Sequence, residues 1–479
     1  MQRIKIVYLP LDSRPCNRLF PVQLCHHAGH RCILPDEMDY FRLPSRPEAI
    51  RDFLMRTLPG ADAAVVSVDQ LAYGSLLASR EMDCREDEAV ERVRVLEKLH
   101  TLAPGVPVHA FNILLRDTVS ALSKEHLGVY YDMWRYSEWT DRASLSGRRE
   151  DRDEAARMVG RIPLRVLHTF MSVRQRNHLI NRLCVDMAGR GIFSSLMLLM
   201  EDAKPEGIHR REQRTLQEKM RGMENTFLHN GADEGGCMAV MRAIRPGKGP
   251  GIQIRYLGGL DGHFTSKYEN LTFEENLRSI LDFQDIGVQE EADIVLAVAG
   301  PPRGIQGECL DRDPTPPPPG MAAEVDALIQ DGKRVYLLDV INANGGSMEL
   351  MHALKHPEKL WGYSAWNTTS NALGTLVAQI VSDEMAGRMN VTFRNERFLD
   401  DLLYQGKLRR ILMQQVEKEG DDAYALRHPE HTQELLKKLV DGEDSRFLEL
   451  CGGKDRCLFL LPWPRTFEVQ ARVLDGPVF

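Results

Sequence analysis

Residues 294–299 read IVLAVA, six apolar side chains in a row with no polar residue on either alternation. A strand with one wet face alternates apolar and polar residues, so this run belongs to a sheet covered on both faces. VVSV at 65–68, LMLL at 196–199 and VYLLDV at 335–340 read the same way. Polar breaks and segments of helical length lie between such runs, as at Glu86–Leu102, Glu206–Gly222 and Thr369–Met385. Short buried strands alternating with helices of ten or more residues predict parallel α/β architecture. The expectation is several doubly wound, Rossmann-like domains with a helical C-terminal region. Candidate strands before residue 260 also satisfy the arithmetic of a (β/α)8 barrel with a C-terminal extension, which stays as the alternative.

Breaks in composition divide the chain into an N-terminal α/β domain over 1–145 and a charged helical excursion over 146–190, the latter around a short strand at Leu164–Thr169. A second α/β domain follows over 191–300, then a Pro-rich loop over 301–320 and an α/β continuation over 321–386. The region 387–479 reads as helical, with one or two terminal strands in CLFLLPWPRTFEVQARVL that return to an earlier sheet.

Of 479 residues, 61 are Lys or Arg and 69 are Asp or Glu, a formal charge of -8 with no basic stripe. That balance argues against nucleic acid as the main partner. No apolar run approaches the roughly 18–20 residues of a spanning helix, and the N-terminus lacks a signal-peptide pattern, so no membrane partner is expected. Nine scattered cysteines without a CxxC fit free thiols in a reducing cytoplasm. Whether the chain forms a homo-oligomer is left open.

In parallel α/β proteins ligands bind beyond the carboxyl ends of the strands. The residues that follow the candidate strands here are consistently polar. Asp12 and Arg14 follow the first, Asp69, Tyr73 and Arg80 the third, Arg116 the fourth, and Glu201 with Asp202 the sixth. Asp233 and Glu234 follow the seventh, while Asp339 and Asn344 lie in LLDVINANGG. Any one acid is explained as a helix cap or a first-turn residue. The ensemble is not, because three exits also carry arginine, the side chain suited to bidentate contact with carboxylate or phosphate. Structural pairing and direct contact with an anionic ligand account for these arginines equally well. Trp366, Asn367 and Asn371 in GYSAWNTTSNALG put an aromatic face beside amides, a wall suited to a polyhydroxylated substrate, although Thr369 or Ser370 also serves as a helix cap.

The chain contains no GxxxxGK[ST], no GxGxxG after the first strand, no GxSxG, no HExxH and no zinc spacing. No cofactor is expected. Scattered carboxylates holding magnesium or manganese stay open, since oxygen ligands need no compact motif.

Taken together, PLDSRP (10–15), VVSVDQLAYGSLLASR (65–80), EDAKPEG followed by HRREQ (201–213) and NGADE (230–234) resemble the bacterial family catalogued as domain of unknown function 4127. YENLTFEENLRS (268–279), DVINANGG (339–346) and GYSAWNTTSNALG (362–374) carry the same resemblance. It implies no reaction, but it adds Tyr268 to the positions above as a matching site residue.

The expected activity is hydrolysis of a polar or acidic carbohydrate by paired carboxylates, as in a glycosidase. Asp233 or Glu234 would donate the proton and Asp69 or Asp202 would act as base or nucleophile. Asp12 would orient Arg14, Arg80 and Arg116 would hold the substrate, and Tyr73, Trp366, Asn367 and Asn371 would shape its pocket. A metal-dependent hydrolase of an amide or phosphoester and a non-catalytic small-molecule binder are the alternatives.

Overall fold

The computed structural model describes residues 3–120, 124–245 and 247–474, with only the backbone for 124–127. It divides into two compact units that cut across the linear segments of the sequence. The first unit comprises residues up to Ser13, His30–Ile244 and Tyr268–Leu271, and the second comprises Arg14–Gly29, Arg245–Lys267 and the chain from Thr272 onward.

In the first unit, β1 (Lys5–Leu9), β2 (Arg31–Ile33), β3 (Ala63–Ser67), β4 (Val108–Leu114), β5 (Ser195–Met200) and β6 (Thr226–Asn230) form one parallel sheet in the order β2-β1-β3-β4-β5-β6. Strands β3, β4 and β5 are buried along their whole length, as the apolar runs of β3 and β5 require, and in β4 the buried His109 and Asn112 are hydrogen-bonded to Ser195 and Asp69.

In the second unit the main strands are β7 (Gly251–Tyr256), β8 (Gly287–Val288), β9 (Ile294–Ala299), β11 (Arg334–Asp339) and β13 (Gly362–Ser364). Between them, β10 (Gly307–Glu308) and β12 (Asn342–Ala343) make a separate parallel pair. The five-stranded sheet runs β13-β11-β9-β7-β8, all parallel. In chain order this is 2-1-3-4-5, the same winding as the first five strands of the other unit and that of flavodoxin-like folds. Both sheets are open, so the barrel alternative falls.

Two local expectations are overturned. Leu164–Thr169 is not a strand but the start of a helix, Leu164–Gly189. Its buried positions Phe170, Val173, Asn177, Ile180, Cys184 and Ala188 recur every three or four residues, and that longer period overrides the short apolar run. The terminal strands β14 (Cys457–Leu460) and β15 (Gln470–Val473) pair antiparallel with each other and join neither main sheet.

The chain leaves β1 for a helix, Pro15–His27, that belongs to the second unit. There Phe20 meets Phe393 edge to face at 5.5 Å. A π-helix, Phe398–Leu408, runs between the α-helices Val391–Arg397 and Arg409–Lys418. Such wide turns are rare beyond a single turn and gather at functional sites. Among the described residues no helix is long and apolar enough to cross a membrane.

Candidate functional site

Because β1, β3, β4, β5 and β6 are consecutive neighbours, the residues that follow them line one edge of the first sheet. Along it stand Asp12, Asp69, Arg116, then Glu201 with Asp202, then Asp233 with Glu234. Asp12, Asp69, Asp233 and Glu234 are all buried.

Glu234 closes the turn between β6 and the helix Gly235–Ile244. The Ala232 N–H donates to its Oε2 (3.0 Å), and its buried Oε1 has no hydrogen-bond partner among the described residues. Burial pushes the carboxyl up to about 8, helped by the neighbouring Asp233 and Glu269. Two glycines make this arrangement fit. A Cβ on Gly235 would stand 2.6 Å from Leu199 Cδ1, so its absence lets the helix close on the sheet. Gly231 has φ 122°, and a Cβ there would stand 1.8 Å from Glu234 Oε1. Gly231→Ala is therefore expected to displace the carboxyl and to cost roughly 1–3 kcal/mol, read as a lower melting temperature. An unchanged melting temperature would mean that the carboxyl has room elsewhere.

Asp202 follows β5 with φ 39°, in the left-handed region that non-glycine residues seldom enter. Its carboxylate is paired with the Arg116 guanidinium. Next in sequence, Asp117 accepts from Arg174 (2.9 Å) and is bonded to His209 Nδ1. Burial alone would push Asp117 up, but His209 and Arg174 hold it below the usual carboxylate range.

Tyr268–Leu271 rejoins this edge from much later in the chain. The Asn270 N–H donates to Asn230 Oδ1 (3.4 Å) and its side-chain amide to Gln213 Oε1 (3.1 Å). Tyr268, at φ 67°, sets its ring 6.2 Å from that of Trp134, over which Lys204 Nζ stands at 3.7 Å. Tyr130 lies 5.0 Å from Trp134 and 5.9 Å from the Arg116 guanidinium. The buried Trp134 Nε1 has no hydrogen-bond partner among the described residues. The end of β5 and β6 thus carries acids, two cations and three aromatic rings.

Asp69 is held differently. Its Oδ2 accepts from Asn112 Nδ2 (3.0 Å) and from the Ile113 N–H (2.8 Å), while Asn181 fixes Asn112 (2.6 Å). Burial pushes Asp69 up to about 7, against these hydrogen bonds. Arg80 pairs with Glu201 and donates to Ser120 (3.2 Å). Tyr73 is buried with its ring 4.4 Å from the Arg176 guanidinium.

Arg14, Asn344, Trp366, Asn367 and Asn371 belong to the second unit. Asn344 (φ 62°) and Asn367 (φ 68°) are both left-handed, and the Asn344 N–H donates to the Asn367 carbonyl (2.9 Å). Asn344 Nδ2 donates to both Glu308 oxygens (3.0 and 3.1 Å). Thr368, not Thr369 or Ser370, caps the helix Thr369–Ala386, receiving the Asn371 N–H (3.3 Å). Arg14 Nη1 lies 3.8 Å from Glu468. Asp339, at the end of β11, accepts from the Ser347 N–H (2.7 Å) and the Tyr363 hydroxyl (3.1 Å), and burial pushes it up to about 6.

Sequence reading passed over Tyr130, Trp134, Lys204, Glu269 and Asn270. The aromatic run VYYDMWRYSEW at 129–139 was the available signal for two of them. Among the described residues no three His, Cys, Asp or Glu side chains converge in an arrangement that could hold a metal ion.

Fold and edge together define a two-unit α/β protein with polar strand exits in each unit, rich in acids in the first. The chain belongs to the family described as Protein of unknown function (DUF4127), which matches residues 6–472. No curated protein and no solved structure matches it.

Proposed function

We propose that the chain is a hydrolase of a polar or acidic carbohydrate, with Glu234 as proton donor and Asp202 as the ionised base or nucleophile. The observation that carries this reading is the contrast between two acids on neighbouring strand exits. Glu234 is buried and raised to about 8, whereas Asp202 is ion-paired with Arg116. Glycoside cleavage needs such a pair, one carboxyl kept protonated and the other kept charged.

Spacing favours Asp202 over Asp69 as the partner. Neighbouring strands lie about 4.8 Å apart. Asp202 follows the strand beside β6, while Asp69 follows a strand three places from it. Carboxyl pairs in glycosidases sit about 5–5.5 Å apart when retaining and about 6.5–9.5 Å apart when inverting. Trp134 and Tyr268 supply faces for a sugar ring, and Lys204 supplies a cation for an acidic substituent.

The ion pairs Arg80–Glu201 and Arg116–Asp202 also favour a second reading, a non-catalytic binder whose charges serve only to hold a ligand. One experiment separates the two. Aryl glycosides, aryl uronides and sugar phosphates are offered to the full chain with and without EDTA, and both product release and saturable binding are followed. Turnover that survives EDTA supports the hydrolase. Binding without product supports the binder, and turnover lost to EDTA and restored by manganese transfers the reaction to a metal.

A further inference from the structure

Arg409 opens the helix that continues the π-helix and is only 2% exposed. Among the described residues its one hydrogen bond runs from Nη1 to Gln405 Oε1 (3.1 Å), and its guanidinium stands 4.5 Å from the centre of the Phe467 ring. Nε has no partner among the described residues, and Glu308 and Glu468 act on the group only from beyond ion-pair contact. Glu468 is already committed, since Arg465 Nε donates to it (2.7 Å) and Arg14 lies beside it (3.8 Å). A guanidinium buried without a contacting anion is costly, and folded proteins seldom keep one unless something neutralises it.

A second unfilled donor lies against the same ring. Trp366 packs its ring 6.0 Å from Phe467, and its buried Nε1 has no acceptor among the described residues. Arg465 stands 5.2 Å from Phe467, and Arg14 and Arg465 stand 5.5 and 4.9 Å from Trp463. Guanidinium and indole N–H groups donate and never accept, so their complement is an acceptor, and the charge of Arg409 makes it an anion.

We propose that Arg409 and Trp366, over the Phe467 ring, bind a small oxyanion, the carboxylate or phosphate of a soluble metabolite. The site lies in the second unit and stands whether or not the reaction proposed above is the right one. The rival explanation is that Arg409 is a packing group resting on Phe467 and Gln405.

The test melts the full chain in inorganic phosphate, in glucuronate and in chloride at equal ionic strength, then titrates each anion calorimetrically. Phosphate or glucuronate at concentrations well above its Kd is expected to raise the melting temperature by a few degrees over chloride. Which of the two does so identifies the source, and no rise with either overturns the site. Arg409→Met keeps length without charge. It is expected to abolish the rise and to leave the unliganded protein melting as high as wild type or higher. A lower melting temperature with the anion response intact marks a packing group and overturns the proposal. Trp366→Phe keeps the ring and guards against an Arg409 variant that does not fold. It is expected to weaken anion binding about tenfold, and unchanged affinity overturns the assignment of the indole.

Discussion

Glu234→Gln should lower kcat by about 10²- to 10⁴-fold with little change in KM, the loss that follows removal of a positioned proton donor. The pH dependence sharpens this. A donor works protonated, so with the carboxyl at about 8 turnover should hold up to that pH and fall above it. Stability must move with the same group. The ordinary value is 4.5 and the folded value about 8, so the folded state holds this proton more tightly than the unfolded one. Its contribution is fully present below pH 4.5 and is lost as pH rises through about 8. At about 1.4 kcal/mol per pH unit, the loss is on the order of 5 kcal/mol. The amide has no proton to lose, so Glu234→Gln should melt above wild type at pH 9 while remaining inactive. A variant that is inactive and also melts below wild type at pH 9 would mark Glu234 as a structural group and sink the donor assignment.

What the sequence revealed follows from the range over which each cause acts. Runs such as IVLAVA and VVSV carry the double burial of a central strand within a few residues, so β3, β5, β9 and β11 are legible, and with them the acids that close or follow β3, β5 and β11. Leu164–Thr169 reads as a strand because six residues hold too little of the helical period to outweigh an apolar run. Residues 15–27 fall inside the 1–145 segment of the sequence, yet they belong to the second unit, where Phe20 meets Phe393, 373 residues further on. Tyr268 came only from resemblance to a family, and Asn270 not at all, for nothing local says that four residues return to β6 from the other unit. Sequence alone does not decide the three arginines between pairing and ligand contact. Each has a carboxylate beside it, Arg14 with Glu468, Arg80 with Glu201 and Arg116 with Asp202, and the partners stand 454, 121 and 86 residues away in sequence. Left-handed backbone was equally hidden, yet Asp202, Tyr268, Asn344 and Asn367 all adopt it, and strain of this kind persists where the surrounding structure holds it for a purpose.

The other large effect is expected at Asp401, in the π-helix. Arg397 is 1% exposed and donates from one nitrogen to Asp401 (2.7 Å) and Asp400 (3.0 Å), with its guanidinium 3.7 Å from the centre of the Phe20 ring. The two acids are not equivalent. Asp401 Oδ2 also receives the N–H groups of Ala365 (2.9 Å) and Trp366 (3.2 Å), just past β13. Asp401→Ala strips a buried cation of its nearer anion and leaves two buried backbone donors unfilled, so about 3–5 kcal/mol should be lost in urea denaturation. Asp400→Ala removes the longer bond to Arg397 and a hydrogen bond with the Gln405 side chain but strips no backbone N–H of the kind Asp401 holds, so it should cost less. Asp401→Asn keeps an acceptor for the two N–H groups and drops the charge, so it should fall between them. Because Asp401 holds the backbone of Trp366, its loss should also weaken oxyanion binding. If both alanine variants lose the same stability, the two acids are interchangeable counter-ions for Arg397, and the hold on Trp366 contributes nothing.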